Sequence, residues 1–306
     1  VYGDRRAIAV GSDGLPIVAF SGASGFQLAA CLDPLCENWS TTVLDSEGVF
    51  FMALAIGADG FPIVGYATEP SFTDPTRNVV VLACRTANCA GTGILAPVRT
   101  EIDTTNDVGT DISMTIGVDG FPIFAYHDVT SEDLKVAACR SRDCVGTGPT
   151  APLVTQIETT GRYGTDSSIT IGTNGLPIIS YTNSFDGTLR LATCSVSTCA
   201  SSTQRRTVGG SFPVISALGN NTMTTIGANG QPLIAYMDAS TADLMLASCN
   251  DAQCGTPTLS AVDSEGAVGY SPAMAFGPNG APIVAYGDYT NAMIKAAVAW
   301  WTATSR

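Results

Sequence analysis

Three polar residues at matching positions of a repeated phrase are the best candidates for chemistry in this sequence. Asp111, Asp166 and Asn221 each stand six residues before a recurring glycine. The other copies of the phrase have Arg5, Phe51 and Ser271 at this position. Carboxylate and amide oxygens bind sugar hydroxyls or a hard cation such as calcium. The trio therefore predicts a ligand site, and calcium is the metal that it would hold.

A second candidate set follows the phrase, where a tyrosine and an Asp or Asn recur two residues apart. The pairs are Tyr126 and Asp128, Tyr181 and Asn183, Tyr236 and Asp238, and Tyr286 and Asp288. Tyrosine rings stack on sugars, and carboxylates accept hydrogen bonds from hydroxyls, so these residues are predicted to line a ligand-binding channel mouth. Because they recur with the repeat, they equally fit a role in capping and packing each unit.

The one histidine, His127, lies between Tyr126 and Asp128. In a strand its side chain points away from both neighbours, which separates it from the predicted site. No G-x-S-x-G elbow accompanies it to mark a nucleophile. We therefore predict no catalytic residue.

The repeated phrase sets the organisation of the whole chain. Its six copies are GSDGLPIVAF, GADGFPIVGY, GVDGFPIFAY, GTNGLPIISY, GANGQPLIAY and GPNGAPIVAY. They begin at Gly11, Gly57, Gly117, Gly172, Gly227 and Gly277, so the spacings are 46, 60, 55, 55 and 50 residues. Periods of this size indicate stacked supersecondary units. We predict one domain over residues 1–306, with repeats that start near residues 6, 52, 112, 167, 222 and 272.

Each phrase has the features of a β-hairpin. An Asp-Gly or Asn-Gly pair, which accepts the positive φ of a tight turn, separates two apolar strands. The second strand begins at a proline and is apolar throughout, which indicates burial on both faces. No stretch sustains a helical period, so we predict an all-β fold and a single six-bladed β-propeller. The sixth repeat ends after three strands. The N-terminal residues, residues outside this chain or another subunit would complete that last blade.

All ten cysteines form five pairs of C-x4-C spacing, one in each of the first five repeats. The pairs are Cys31 with Cys36, Cys84 with Cys89, Cys139 with Cys144, Cys194 with Cys199, and Cys249 with Cys254. Equivalent hairpins of neighbouring blades diverge around the rim, which argues against shared zinc sites. We predict five disulfides within blades, and hence an oxidising compartment.

Composition excludes several functions. The net charge of −13 repels a phosphate backbone, so nucleic acid is not an expected partner. No apolar run reaches the length of about 18 residues that a membrane helix needs. The chain begins at Val1. We expect a mature exported form that is secreted or held at the cell surface.

The phrase G-x-D-G-x-P-x-I-x-Y-x-D, followed by L-x-x-A-x-C and a second cysteine, resembles a group of secreted bacterial repeat proteins. The resemblance spans nearly the whole chain and implies an exported, propeller-like protein. It implies no catalytic residue. Phe20-Ser21-Gly22 and Tyr66-Ala67-Thr68 depart from the Y-x-D part of the phrase.

Without a catalytic motif, we predict a non-enzymatic extracellular module that recognises a glycan or a surface protein, with no cofactor apart from calcium. One alternative is a structural subunit of a filament or surface layer, in which Trp300 and Trp301 beside the incomplete blade join copies of the chain. The other alternative is a calcium-dependent hydrolase at the central channel.

Overall fold

The computed structural model describes residues 6–46, 49–68, 75–159, 161–201, 203–209, 222–238 and 240–298. These residues form six antiparallel sheets arranged as a β-propeller, which confirms the predicted fold class. Five blades have four strands, and the sixth has three. In every blade the strands follow one another in space in their chain order.

The first three blades contain twelve strands. Blade one consists of β1 (Arg6–Val10), β2 (Pro16–Gly22), β3 (Gly25–Cys31) and β4 (Trp39–Asp45). Blade two consists of β5 (Val49–Ile56), β6 (Pro62–Thr68), β7 (Val79–Ala83) and β8 (Val98–Asp103). Blade three consists of β9 (Val108–Ile116), β10 (Pro122–Asp128), β11 (Asp133–Ala138) and β12 (Leu153–Glu158). Single 3₁₀ turns at Gly93–Leu95 and Gly148–Thr150 precede β8 and β12.

The last three blades follow the same plan. Blade four consists of β13 (Tyr163–Ile171), β14 (Pro177–Asn183), β15 (Thr188–Thr193) and β16 (Gln204–Gly209). Blade five consists of β17 (Met223–Ile226), β18 (Pro232–Asp238), β19 (Asp243–Ser248) and β20 (Thr258–Asp263). Blade six consists of β21 (Val268–Phe276), β22 (Pro282–Asp288) and β23 (Met293–Val298).

The Asp-Gly and Asn-Gly turns all lie on one face of the propeller, which we call the turn face. In the turn of blade three, Gly120 has φ 81° and donates its N–H to the Gly117 carbonyl at 2.9 Å. Turns of neighbouring blades touch, since the Ser12 hydroxyl donates to the Gly60 carbonyl at 3.3 Å. The inner strands therefore run from the opposite face, where they begin, to the turn face, where they end.

The apolar core lies between the blades. The second strands of blades two to five are buried almost throughout, as the apolar phrase predicts. Apolar clusters join residues of adjacent blades, for example Phe26 of β3 with Tyr66 of β6, whose ring centroids are 5.0 Å apart. Sheet-on-sheet packing between blades is thus the main source of apolar burial.

Blades one and six each leave one face uncovered. Ile8 of β1 is 68% exposed and Ile294 of β23 is 84% exposed. Among the described residues, no strand of blade six contacts blade one as neighbouring blades elsewhere contact each other. Trp300 and Trp301, predicted to form an interface, and Val1 to Asp4, predicted as one way to complete blade six, lie outside the described residues.

The five predicted disulfides are confirmed, and each closes a short loop at the end of the third strand of its own blade. The second cysteine of every pair has a left-handed backbone, with φ between 53° and 59°. No helix of the described segments is long and apolar enough to span a bilayer.

Replacing Cys139 and Cys144 by alanine should lower the free energy of unfolding by roughly 2 kcal/mol, because the unfolded chain is no longer cross-linked. Cys144 has φ 53°, a conformation that costs alanine about 1 kcal/mol and glycine little. The combination of Cys139→Ala with Cys144→Gly should therefore be about 1 kcal/mol more stable than the double alanine variant. Urea unfolding measures both differences, and equal stability of the two variants would contradict the argument.

Candidate functional site

A cavity of about 270 Å³ opens in the central channel, toward the ends where the inner strands begin. We call it the channel cavity. Five blades contribute to its wall. The lining comprises Phe51 to Leu54, Asp111 to Met114, Asp166 to Ser168, Thr222, Met223 and Pro272. Asp111 and Asp166, which the sequence analysis selected, thus come together in one cavity. Its volume is close to the lower end of the range of small-ligand sites, about 300 Å³.

Asp111 and Asp166 occupy β-bulges in neighbouring inner strands. The register of β9 against β10 shifts so that Asp111 and Ile112 together oppose Tyr126. The register of β13 against β14 shifts in the same way around Asp166. The φ angles of the two aspartates are 54° and 56°. The same bulge recurs in blade six, where Ser271 has φ 45°, so the backbone shape belongs to the repeat, whereas the carboxylate at this position is specific to blades three and four among the described residues.

Hydrogen bonds from the next blade hold both bulges in place. The Ser167 hydroxyl donates to the Asp111 carbonyl at 2.7 Å, and the Thr222 hydroxyl donates to the Asp166 carbonyl at 2.9 Å. Two residues further along, the N–H groups of Ile169 and Thr224 donate to the hydroxyls of Ser113 and Ser168 at 3.1 and 3.0 Å. The inner strands of blades three, four and five are therefore joined by a repeated pair of links.

The link cannot form between blades two and three. The position of the hydroxyl donor is Ile112 there, and the position of the second hydroxyl is Ala53, so neither side chain carries a hydroxyl. Phe51 instead packs in an apolar cluster with Ile112 and Met114 of blade three. The channel cavity consequently has one apolar wall and one wall of carboxylates and hydroxyls, an arrangement that suits a sugar with both C–H faces and hydroxyl groups.

The carboxylate of Asp166 receives a hydrogen bond from a threonine pair. Thr182 Oγ1 lies 3.0 Å from Asp166 Oδ2 and 2.6 Å from Thr165 Oγ1. A hydroxyl has one proton to donate, and an ionised acceptor forms the stronger bond. The Thr182 hydroxyl has two acceptors within reach, the Asp166 carboxylate at 3.0 Å and the Thr165 carbonyl at 3.1 Å.

Asn221, the third member of the predicted trio, lies outside the described residues, although the adjacent Thr222 lines the cavity. Within the described ranges, no group of three His, Cys, Asp or Glu side chains is placed to bind a metal ion. Calcium takes six to eight oxygen ligands, of which Asp111 and Asp166 are two carboxylate sources. Calcium at this trio stays a prediction.

The four predicted tyrosines lie between blades rather than on the cavity wall. Tyr126, Tyr181 and Tyr236 are fully buried, and Tyr286 is nearly so. In three blades the phenol donates to the acidic residue that ends the fourth strand of the preceding blade. These bonds join Tyr126 to Asp103 at 2.8 Å, Tyr286 to Asp263 at 2.6 Å, and Tyr181 to Glu158. We call this contact the interblade joint.

A cation completes the joint in the same three blades. Lys135, Arg190 and Lys295 stand directly opposite the tyrosines in strand register. Lys135 lies 3.2 Å from Asp103 and 2.7 Å from Asp128. Burial, together with the adjacent carboxylate, raises the pKa of Tyr286 to about 12. The tyrosines therefore remain protonated donors at any physiological pH.

Blade two has a variant of the joint, and blade five lacks its charged parts. The Tyr66 hydroxyl donates to Asp45 at 3.3 Å, and Arg99 supplies the cation. In blade five, Tyr236 stands opposite Met245, and the preceding fourth strand ends at Gly209 instead of an acid. The carboxylate and the cation are thus absent together from the equivalent positions.

The predicted Asp and Asn partners of the tyrosines cap the turns that follow the second strands. Backbone N–H groups two or three residues later donate to Asp128, Asn183, Asp238 and Asp288. Burial alone raises the pKa of Asp128, but hydrogen bonds from Lys135 and Asn106 outweigh it and lower the pKa overall. Hydrogen bonds from Asn291 and Lys295 lower the pKa of Asp288 to about 2. The proposed site excludes the tyrosines and these Asp and Asn residues, because they already contact other groups of the protein.

His127 is half-buried in β10, with its Nδ1 3.1 Å from the Thr110 hydroxyl. It takes the strand position that Thr182 has in the next blade. Burial lowers the pKa of His127 because the charged imidazolium loses its hydration.

The sequence analysis missed the hydroxyls that hold the bulges, namely Ser113, Ser167, Ser168, Thr182 and Thr222. A signal was present, since the inner strands TDISMTI and TDSSITI share an aspartate followed by a serine two residues later. Spacing alone does not reveal that these hydroxyls reach the next blade. That contact depends on the stagger between neighbouring sheets.

Comparison with solved structures shows that the chain shares its fold with several propellers. The chain is similar to an α-L-arabinanase of Penicillium chrysogenum in complex with arabinobiose, with 14% identity over 96% of this chain and 92% of that one, at a TM-score of 0.61. It is also similar to an α-L-arabinofuranosidase of Fusarium graminearum in complex with an iminosugar inhibitor (11% identity, 99% and 95% coverage, TM-score 0.60). The Dos1 propeller matches at 10% identity, 91% and 64% coverage and a TM-score of 0.52. No protein-family model and no curated protein sequence matches the chain.

These similarities correct the prediction of a non-enzymatic binding module and its alternative, a structural subunit. The binding-module prediction rested on the absence of a catalytic motif, yet the chain shares its fold over nearly its whole length with glycoside hydrolases. Paired carboxylates on separate strands leave no local motif, so its absence was weak evidence against an enzyme. At these identities the likeness concerns the fold, and the chemistry has to be argued from the channel cavity.

Removing the Tyr126 hydroxyl should destabilise the protein by about 1–3 kcal/mol, because a buried charged acceptor loses its donor. Tyr236→Phe is the matched control, since the preceding strand offers no carboxylate there, and it should cost clearly less. Thermal and urea unfolding of Tyr126→Phe and Tyr236→Phe measure the difference. Equal losses would show that the joint does not depend on the carboxylate.

Acidification should destabilise the wild type more than a His127→Gln variant. The pKa of His127 is lower in the folded protein than in the unfolded chain, so the unfolded chain binds the proton first as pH falls. The stabilising effect is present above the ordinary histidine pKa of about 6.5 and is lost below it. Urea unfolding of both proteins at about pH 7.5 and about pH 5.5 tests this, and parallel pH dependences would contradict it.

Proposed function

We propose that this chain is a glycoside hydrolase that cleaves an arabinose-containing saccharide in the channel cavity. The observation that carries the proposal is the placement of Asp111 and Asp166 on adjacent inner strands, in bulges with φ 54° and 56°, at the wall of one cavity. The fold similarity to an arabinanase and an arabinofuranosidase supports the choice of reaction and sugar.

The two carboxyl groups suit the two roles that glycoside hydrolysis requires. One group protonates the oxygen of the leaving sugar, while the other, ionised, activates water or attacks the sugar. We assign the ionised role to Asp166 because Thr182 donates to its carboxylate at 3.0 Å. Asp111, next to the apolar wall of Phe51 and Met114, takes the role of the acid.

The remaining lining supports binding of a neutral sugar. Phe51, Met114 and Met223 offer apolar surface for C–H groups, while Ser167 and Ser168 belong to the hydroxyl-rich wall. The chain's net charge of −13 disfavours polyanionic saccharides through repulsion. We place the enzyme outside the cytoplasm, because five disulfides persist in oxidising compartments and the sequence resembles secreted repeat proteins.

Asp111→Asn and Asp166→Asn should each lower kcat for 4-nitrophenyl α-L-arabinofuranoside by about 10²- to 10⁴-fold, the usual contribution of a general acid or base. Asparagine tolerates the left-handed backbone, so folding should be retained. Asp119→Asn is the matched control, since its equivalents Asn174, Asn229 and Asn279 are already asparagines in other turns.

The measurement is release of 4-nitrophenol, with release of reducing ends from arabinan as the second assay. Unchanged kcat in both aspartate variants, with the melting temperature retained, would refute the assignment. If the wild type cleaves neither substrate, the proposed reaction is refuted.

A further inference from the structure

A second cavity, of about 400 Å³, lies on the turn face at the rim between blades two and three. We call it the rim groove. The turn of blade two supplies Asp59 and Phe61, and the disulfide hairpins supply the rest, chiefly Arg85, Ile94, Leu95, Arg142 and Asp143. The channel cavity is built around the beginnings of the inner strands, whereas the rim groove lies beside their ends. The two sites therefore open on opposite faces.

Four charged side chains form a continuous network along the rim groove. Asp59 pairs with Arg142, whose Nη1 lies 3.0 Å from Asp143 Oδ1. Asp143 in turn lies 2.5 Å from Nη2 of Arg85. Arg142 also donates to the Cys84 carbonyl, which ties blade three to blade two. Between 20% and 41% of each of these side chains stays exposed, so donors and acceptors are held in place while facing solvent.

The network is not a consequence of the repeat. The positions of Arg142 and Asp143 between their cysteines have different residues in every other hairpin. These are Pro34 and Leu35, Ala87 and Asn88, Ser197 and Thr198, and Ala252 and Gln253. A feature needed to pack blades would recur with them, so this one has a purpose specific to the junction of blades two and three.

Two apolar residues beside the network are exposed, and the turn that carries them does not need them in order to form. Ile94 is 91% exposed and Leu95 is 49% exposed. Blade three has the same loop, with Gly-Pro-Thr-Ala-Pro where blade two has Gly-Ile-Leu-Ala-Pro, and both loops form the same 3₁₀ turn. The turn therefore forms without isoleucine or leucine, and their exposed surface is available for a partner.

We infer that the rim groove is a second saccharide-binding site, separate from the channel cavity, which holds a neutral sugar chain. Two arginines and two aspartates balance in charge, so the groove does not select an ion. Fixed guanidinium donors and carboxylate acceptors bind the hydroxyls of a sugar, while Ile94 and Leu95 contact its C–H face. The inference rests on the proposed function only for the choice of an arabinose-containing polymer, which the groove would tether while the opposite face cleaves chains.

The chain itself provides the variant that tests this. Ile94→Pro with Leu95→Thr copies the blade-three loop into blade two, so the fold should be kept, and Arg85→Ala is a second, independent change. Both are made in an Asp166→Asn background, so that the polymer is not consumed. Retention in native gels that contain arabinan or arabinoxylan measures binding. We expect the dissociation constant to rise about tenfold in each variant, since each loses one contact surface.

The reverse exchange, Pro149→Ile with Thr150→Leu, is the matched control. By the repeat, this loop neighbours the disulfide hairpin of blade four, which has Ser197 and Thr198 where blade three has Arg142 and Asp143, so the exchange should leave retention unchanged. Retention that survives both rim-groove changes, at an unchanged melting temperature, overturns the inference. Failure of the Asp166→Asn parent to bind either polymer also overturns it. Because binding is measured without cleavage, groove-dependent retention in a protein with no hydrolytic activity would refute the proposed function alone.

Discussion

The contact between successive blades is the interaction on which the rest of the structure depends. The apolar second strands of blades two to five are buried almost throughout, and in blades two, three, four and six a tyrosine on the second strand reaches back to the carboxylate that ends the preceding blade, as Tyr126 reaches Asp103. A buried carboxylate without a donor would be costly, so the tyrosine and the opposed cation Lys135 make the apolar packing compatible with buried charge. At the joint of blade five, Gly209 stands where the other joints have an acid, and Met245 stands where they have a cation. Neither buried charge is therefore left without its partner.

Contacts between blades also lie beside the proposed site. The links from Ser167 and Thr222 to the Asp111 and Asp166 carbonyls join blades three, four and five on that side of the channel. A left-handed aspartate persists only if its surroundings over-determine it, and these links do so. On the other side, blades one and six expose apolar faces and lack a comparable mutual contact among the described residues. The rigid part of the ring thus coincides with the proposed site.

The two proposed sites, the rim groove and the channel cavity, both depend on residues that break the repeat. These are Asp111 and Asp166 on the inner strands and Arg142 and Asp143 in one hairpin. The residues that recur in the phrase, by contrast, make contacts that hold the fold together. Tyr181 and Asn183 recur in the phrase and are buried in a joint and a turn cap. In this protein, departure from the repeat is a better guide to ligand contact than recurrence.

The sequence by itself determined the all-β class, the six blades, the short last blade and all five disulfides, because turns, apolar runs and C-x4-C spacing act locally within one hairpin. It also selected Asp111 and Asp166, since their polarity stands out against Phe51 at the same position. Only the tertiary structure decided that the tyrosines are buried joints, that hydroxyls of one blade hold the bulges of another, and that Arg142 meets Asp59. These contacts join residues about 20 to 80 positions apart, and their geometry depends on how far neighbouring sheets are rotated and staggered. No local pattern of residues encodes that quantity.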